Sequence, residues 1–280
     1  MNKVGEPLTV PKAIVMSYTR EIVSIVNAMI KDYRSVIELY AEKRQQMSFD
    51  DNKSWLTTDV QRRLDKLGKD WEKRFVEFAK AKSPQMVRKV LKQSDTQLKF
   101  TLRNYFANKR FELIMDKIPE PMQQTIKAHI AENTSLIRSI AQQYIERING
   151  AVYRAITGGG TMKELRRQFI KFGNMSYRRA KLVASDQVHK TFTTLAARRM
   201  TQLGIKKYVW YHSHAVKEPR PYHIRKWDGV SGKRDGHPNG LNGFVFDLDH
   251  PPVIDEKTGE RGLPGRLPYC KCRLAPYFGD

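Results

Sequence analysis

Apolar residues recur at every third or fourth position through roughly the first two thirds of the chain, a spacing that places them on one face of a helix. After Pro11 the repeat continues to Tyr40, and a second repeat follows a helix-start signal at Asp50-Asp51-Asn52. Further repeats extend to Leu203, so the pattern predicts a series of amphipathic helices. Their predicted starts lie near residues 14, 52, 84, 95, 122, 161 and 177.

Proline, glycine and serine residues mark the predicted helix boundaries. The Ser83-Pro84 step predicts a new helix, with the serine as N-cap and the proline at the first helical position. The Ile-Pro-Glu-Pro step at 118–121 breaks the chain before the next long helix. That helix should end at the glycine triplet 158–160, a predicted hinge. Ser176 is the predicted N-cap of the last helix, and Gly204 follows its end.

From Lys206 onward the hydrophobic period changes from helical to strand-like, and Gly, Pro and His become frequent. The predicted strands cover residues 207–211, 244–247 and 272–277. The fold class is therefore mainly α, with a long-helix N-terminal region followed by a small α+β C-terminal domain with few short strands. The predicted parts are a helical region over 1–157, linking basic helices over 158–205 and the α+β domain over 206–280.

The chain carries a formal net charge of +22 and a pI near 10.0. Nucleic acid is the first partner class that such a charge suggests, and an anionic membrane is the second. We expect no membrane partner, because no apolar run looks long enough to span a bilayer. With two cysteines and no secretion signature, we expect an intracellular, reducing compartment. Candidate DNA-binding residues are Arg166, Arg167, Lys171, Arg178, Arg179, Lys181, Arg198 and Arg199.

The C-terminal part also collects residues that bind transition metals. His223, His250, Cys270 and Cys272 are ligand types for zinc, and a Cys-x-Cys pair can supply two thiolates to one ion. Structural zinc sites more often offer two Cys-x2-4-Cys knuckles, and this chain has half of such a pattern. The alternative is a pair of small buried thiols without metal. Zinc is thus a candidate cofactor, with these four residues as its candidate ligands.

A nuclease is an alternative interpretation of the same histidines. His212-x-His214 and Asp249-His250 are similar to the His-rich ββα-metal nucleases, in which one histidine activates water and another holds a divalent ion. Such enzymes need an Asn and a further His downstream, and nothing after His250 supplies them. We therefore assign no catalytic residues and expect a protein that is not an enzyme.

The order of features from about residue 160 to the C-terminus resembles a known family. A helix over 181–203 precedes a strand with Trp210, and Arg220, His223, Trp227-Asp228-Gly229, Pro251-Pro252 and Cys270-Lys271-Cys272-Arg273 follow in order. This order resembles the minor head proteins of tailed bacteriophages typified by the F protein of phage Mu. Lys271 stands where the family usually has Arg, and residues 183–187 stand where it often has Ala-Arg-Thr-Glu.

The resemblance implies a structural minor head protein, made in the host cytoplasm and located in the virion, inside the head at the portal vertex. It implies the portal protein and packaged double-stranded DNA as partners, and major capsid or scaffolding protein as further candidates. Roles in DNA packaging, retention or ejection would follow. The alternatives are the metal nuclease carried in the head and a host-encoded basic DNA-binding protein, although no known DNA-reading motif is visible.

Overall fold

The computed structural model describes residues 3–46, 54–103, 105, 110–157, 162–213, 220–224 and 239–279. Four features of the sequence interpretation lie outside these residues. They are the helix start at Asp50-Asp51-Asn52, the glycine triplet 158–160, His214 and the Trp227-Asp228-Gly229 step.

Within the described residues the chain forms five α-helices, followed by short strands, which confirms the predicted fold class. The long helices precede the strands, as the change of hydrophobic period indicated. The helices are α1 (Lys12–Gln46), α2 (Ser54–Arg103), α3 (Arg110–Met115), α4 (Glu120–Thr157) and α5 (Met162–Gln202). The strands are β1 (Lys207–Tyr211), β2 (Val245–Asp247), β3 (Val253–Asp255), β4 (Glu260–Arg261) and β5 (Arg273–Tyr277), and a 3₁₀ helix spans Pro221–His223.

The predicted helix starts at Ser83-Pro84 and near Asp95 are wrong, because α2 runs through both positions without interruption. A proline inside a helix removes one backbone hydrogen bond and normally ends the helix. Here the buried stripe stays in phase across the proline, from Phe75 and Ala79 to Val87 and Val90. Ser83 is itself fully buried and accepts a hydrogen bond from Thr134 instead of capping a helix. Side-chain packing therefore outweighs the local break signal.

The predicted break before Ser176 is also wrong. α5 continues through Gly173 and Ser176, since Leu165, Phe169, Ala180 and Val183 keep a helical spacing of buried residues on either side. The end of α5 does follow the prediction. Gly204 has φ +78°, its N–H bonds to the carbonyl of Thr201, and the N–H of Ile205 bonds to the carbonyl of Met200. This is the Schellman pattern, which glycine terminates without strain.

The chain forms two compact units, each assembled from segments that are discontinuous in sequence. Unit 1 comprises Met1–Met16, Gln85–Ile130 and Ser185–Asp280, and unit 2 comprises Ser17–Pro84 and Ala131–Ala184. The unit boundaries fall inside α1, α2, α4 and α5. The predicted parts, 1–157, 158–205 and 206–280, are each one continuous stretch of sequence. The two compact units instead combine separate stretches, so the predicted parts and the units divide the chain in different ways.

Unit 2 is a helical core centred on aromatic residues. Tyr33 of α1 and Tyr144 of α4 meet edge to face, with ring centroids 5.5 Å apart. Gly68 of α2 packs closely against α1 and α4. A β-carbon at this position would lie 3.1 Å from Ile145 and 3.3 Å from the Tyr33 hydroxyl. Burial raises the pKa of the Tyr33 and Tyr144 hydroxyls. Glycine thus permits the close approach of three helices.

Unit 1 contains an antiparallel sheet with strand order β2-β1-β5, and a separate β3-β4 pair. β1 has the predicted bounds, while β2 and β5 each begin one residue later than predicted. In the β1–β5 register, Lys207 pairs with Tyr277 and Tyr211 pairs with Arg273. Trp210, the fourth of the five residues of β1, is completely buried.

The N-terminal segment covers the outer edge of β5. The N–H groups of Gly5 and Leu8 donate to the carbonyls of Pro276 and Leu274, and the N–H of Phe278 donates to the carbonyl of Lys3. Tyr105 stacks on Phe278, with ring centroids 3.9 Å apart. An uncovered edge strand invites pairing with other chains, so these contacts protect β5 from one side.

One described helix segment, Lys12–Tyr40 of α1, is long and apolar enough to cross a membrane by length and composition. This differs from the expectation that no apolar run reaches that length. Its buried residues follow one stripe, including Ile22, Val26 and Met29, as expected of a helix that packs in a protein core. Only 22% of its most apolar window is buried. Segments of soluble proteins often pass the same test, so one such helix is weak evidence for a membrane.

Candidate functional site

Two histidines and both cysteines meet in unit 1 at one end of the β1–β5 pair. His212 follows β1 directly and Cys272 precedes β5 directly, so the Tyr211–Arg273 register brings the two side by side. Trp210 and His212 point to one face of the sheet, because side chains alternate along a strand. The ring of His223, at the end of the 3₁₀ helix, packs edge-on against the ring of Trp210, with ring centroids 5.2 Å apart.

The ligand atoms of this His/Cys cluster lie within contact distance. His223 Nδ1 is 3.6 Å from Cys270 Sγ and 3.7 Å from Cys272 Sγ. His212 Nδ1 is 3.5 Å from Cys272 Sγ. His223, Cys270 and Cys272 form a group whose ligand atoms all lie within 4.8 Å of one another. All four side chains are buried.

A hydrogen bond fixes the orientation of the His223 ring. Its Nε2 lies 3.0 Å from the carbonyl oxygen of Ile254, which can only accept, so Nε2 must carry the proton. In the neutral ring Nδ1 then holds the lone pair, and Nδ1 is the atom that faces both sulfurs. Ligand histidines in metal sites show this arrangement, in which an outer carbonyl sets the tautomer.

The two thiols perturb each other. The pKa of Cys270 is held well below its ordinary value, because Cys272 donates a hydrogen bond to it. The same hydrogen bond, together with burial, raises the pKa of Cys272. The pair therefore gives up one proton readily and retains the second. A cation at the centre would favour loss of both.

The cluster differs from the predicted ligand set in one member. His223, Cys270 and Cys272 meet, whereas His250 is exposed and lies outside the group. His212, which the sequence interpretation placed in a nuclease motif, faces Cys272 instead. The signal that could have identified His212 is its position immediately after a strand, opposite the residue immediately before β5.

A second polar group joins α5 to the Cys-x-Cys segment. Asp186 accepts a hydrogen bond from the N–H of Tyr269, a residue with φ 62°, and thereby supports the strained turn before Cys270. Lys271 Nζ approaches Asp186 at 3.8 Å, His189 Nδ1 at 3.3 Å and the hydroxyl of Ser185. Sequence reasoning missed this group, although it noted that residues 183–187 depart from the family pattern.

Burial perturbs each ionisable member of this second group. Burial raises the pKa of the Asp186 carboxyl to about 6, and Lys271 and the Tyr269 N–H only partly oppose it. Burial, with Lys271 close by, lowers the pKa of His189 to about 4. The pKa of Lys271 is also lowered by burial. These groups serve to hold the Cys-x-Cys segment against α5 through its middle residue.

In unit 2, α5 presents an exposed basic face. Its members are Arg167, Lys171, Arg178 and Lys181, all exposed. At about 100° per residue, their positions fall within an arc of about 80°, and the face extends about 21 Å along the helix. Lys181 Nζ lies 4.4 Å above the Tyr177 ring, a cation–π contact. We call these four residues the α5 basic face.

The other predicted DNA-binding residues have internal partners or different surroundings. Arg166 is exposed, but its Nε and Nη2 both donate to the carboxylate of Glu38. Arg179 is half-buried and donates to Ser139. Arg199 is 2% exposed, so its predicted place on a surface is wrong. Arg198 is exposed, in unit 1.

Residues 146–275 match the family model described as "Phage Mu protein F like protein". The predicted resemblance is thereby confirmed for the C-terminal part of the chain, and the match covers both the α5 basic face and the His/Cys cluster. The C-terminal part of the chain is therefore similar to this family of phage proteins.

A curated protein of Haemophilus influenzae (strain KW20), named "Uncharacterized protein", is 28% identical over 157 residues. These residues cover 56% of this chain and 30% of the relative, so the chain matches about a third of that protein's length. No solved structure matches the chain.

Proposed function

We propose that this protein is a structural minor head protein of a tailed phage, bound at the portal inside the head and in contact with packaged DNA. The match of residues 146–275 to the Mu F-like family carries the proposal. The +22 charge supports it, because a protein that repels itself so strongly is suited to a place beside a polyanion. Roles in packaging, retention or ejection of DNA belong to the same proposal.

The contact with DNA is assigned to the α5 basic face. Its four cations follow one side of α5, and a duplex offers one phosphate charge for every 1.7 Å of axis or so. Contacts of this kind neutralise phosphates without reading bases, so they carry no sequence preference. Four phosphate contacts give a slope of about −3.6 for log affinity against log salt. Affinity should then fall about 150-fold between about 50 and 200 mM salt.

DNA binding is tested by fluorescence anisotropy with two labelled duplexes of unrelated sequence, over a range of salt concentrations. We expect equal affinities for the two duplexes and the steep salt dependence given above. Tight binding that persists at high salt, or a clear preference for one duplex, would remove the proposed DNA contact.

Portal binding is tested by expressing the chain together with the portal protein of the same phage and separating complexes by size. The expected result is a complex that contains both proteins at a fixed ratio. Elution of the chain apart from assembled portal rings, at every salt concentration tested, would contradict the portal part of the proposal while leaving the DNA part to its own assay.

A further inference from the structure

We propose that His212, His223, Cys270 and Cys272 bind one zinc ion in a closed structural site within unit 1. The proposal does not depend on the role of the protein in a phage head. It replaces His250 of the sequence-derived ligand set by His212.

Three ligand–ligand distances within the His/Cys cluster match the nitrogen–sulfur edge of a zinc tetrahedron. With Zn–S near 2.3 Å and Zn–N near 2.0–2.1 Å, a tetrahedral ion separates a ligand nitrogen from a ligand sulfur by about 3.6 Å. Three of the four nitrogen–sulfur edges measure 3.5, 3.6 and 3.7 Å. Each of the three lies within about 0.2 Å of that edge, the tolerance expected of a metal site. His212 contacts Cys272 but lies outside the group whose ligand atoms are all within 4.8 Å of one another, so its ring has to shift toward the other ligands when zinc binds.

Hydrogen bonding alone does not account for this arrangement. The single lone pair of His223 Nδ1 faces two sulfurs, and one lone pair accepts one S–H bond well. Cys272 Sγ is in turn shared between His223 and His212. One cation placed between the four groups would bind the lone pair and both thiolates at once.

The burial of the ligands defines the type of site. Their exposures are 7% for His212, 3% for His223, 4% for Cys270 and 3% for Cys272, so no open position faces solvent. Catalytic zinc keeps such a position for water, whereas structural zinc is enclosed by four protein ligands. The site is therefore structural, of the Cys₂His₂ type.

A zinc ion here would connect three segments that have little regular structure. The strands of unit 1 are two to five residues long, and the 3₁₀ helix has three residues. The ligands come from the end of β1, the 3₁₀ helix and the turn before β5. Small regions of this kind commonly depend on a metal, because metal binding contributes directly to folding free energy.

The test is the zinc content of the purified full-length protein, measured by plasma mass spectrometry after gel filtration in metal-free buffer. We expect about one zinc per chain in the unmodified protein. His250→Ala is the matched control, since His250 is exposed, and it should retain the full zinc content. Cys272→Ser and His212→Ala each remove a ligand, so each should weaken zinc affinity by more than the 10–100-fold or so that is lost when a residue hydrogen-bonded to a ligand is replaced.

Cobalt titration of chelator-treated wild-type protein provides a second readout that needs no variant. Tetrahedral Co²⁺ with two thiolates should give strong visible absorption and a sulfur-to-metal charge-transfer band at one equivalent. Zinc-free protein that also fails to bind Co²⁺ would overturn the proposal, as would a Cys270–Cys272 disulfide in the purified chain. Loss of zinc in the His250→Ala variant would overturn the ligand assignment.

Discussion

Replacing Arg199 by methionine removes the most deeply buried cation among the described residues of unit 1. Its guanidinium donates to both carboxylate oxygens of Asp95 at 2.9 and 3.0 Å, and also to the carbonyl of Lys117 and to Gln202. It thus connects α2, the segment after α3 and the end of α5. Methionine retains most of the apolar stem but supplies none of these four hydrogen bonds.

The loss of stability in the Arg199→Met variant follows from the unpaired carboxylate of Asp95 that stays in the protein. Breaking a buried ion pair by removing one partner costs about 3–5 kcal/mol, since the other charge stays buried. The Asp95 side chain is 18% exposed and can recover some hydration, so we expect a value near the lower end, about 3 kcal/mol. For a chain of this size, that corresponds to a fall of about 6–12 °C in Tm.

The loss should depend on pH with a definite sign. Burial already raises the pKa of Asp95, against the lowering effect of Arg199. Without the arginine, the folded-state pKa rises further above its unfolded value. The folded state then binds the proton more tightly, so stability increases as the pH falls through this raised pKa. The destabilisation by Arg199→Met should therefore be largest at neutral pH and become smaller as the solution is acidified.

The assay is differential scanning calorimetry at several pH values, with Arg198→Met as the control. Arg198 is the neighbouring residue on α5 and is exposed, so its replacement should change Tm by less than about 1–2 °C. Equal Tm values for the two variants would refute the claim that Arg199 serves the core. A penalty for Arg199→Met that grows on acidification would refute the assigned role of Asp95.

Three further predictions concern other parts of the chain. Replacing all four residues of the α5 basic face by glutamine should flatten the slope of log affinity for DNA against log salt by about 3.6 units. The control Arg166→Gln should change this slope far less, because Arg166 is already paired with Glu38. Gly68→Leu should overpack against Ile145, destabilise the fold by about 1–3 kcal/mol and so lower the Tm, whereas Lys69→Leu at an exposed position should not. Plasmid DNA incubated with the protein and Mg²⁺ or Mn²⁺ should remain intact on agarose gels; cleavage that His250→Ala abolishes would instead establish the nuclease.

Hydrophobic periodicity predicted the helical content and the order of helices and strands, because both depend on local spacing. It failed at Ser83-Pro84 and Ser176, where residues distant in sequence decide the outcome. Thr134 donates to Ser83, and a β-carbon on Gly173 would lie 3.5 Å from Ile30. Such contacts keep α2 and α5 continuous through local signals that normally end a helix.

The candidate sites show the same limit. Three of the four proposed zinc ligands could be named from residue type, but His212 required the pairing of β1 with β5, which links positions 60 residues apart. Arg198 and Arg199 have equal charge and adjacent positions, and only the packing of α5 distinguishes the exposed residue from the buried one. Residue type therefore identifies the candidates, and tertiary structure determines which of them act together.

An asymmetric cryo-electron microscopy reconstruction of the filled phage head tests the proposed function most directly. The account predicts density for this chain inside the head, against the portal ring, with the α5 basic face directed toward the innermost DNA. Density for the chain on the outer capsid surface or on the tail, or its absence from purified virions by mass spectrometry, would contradict the account.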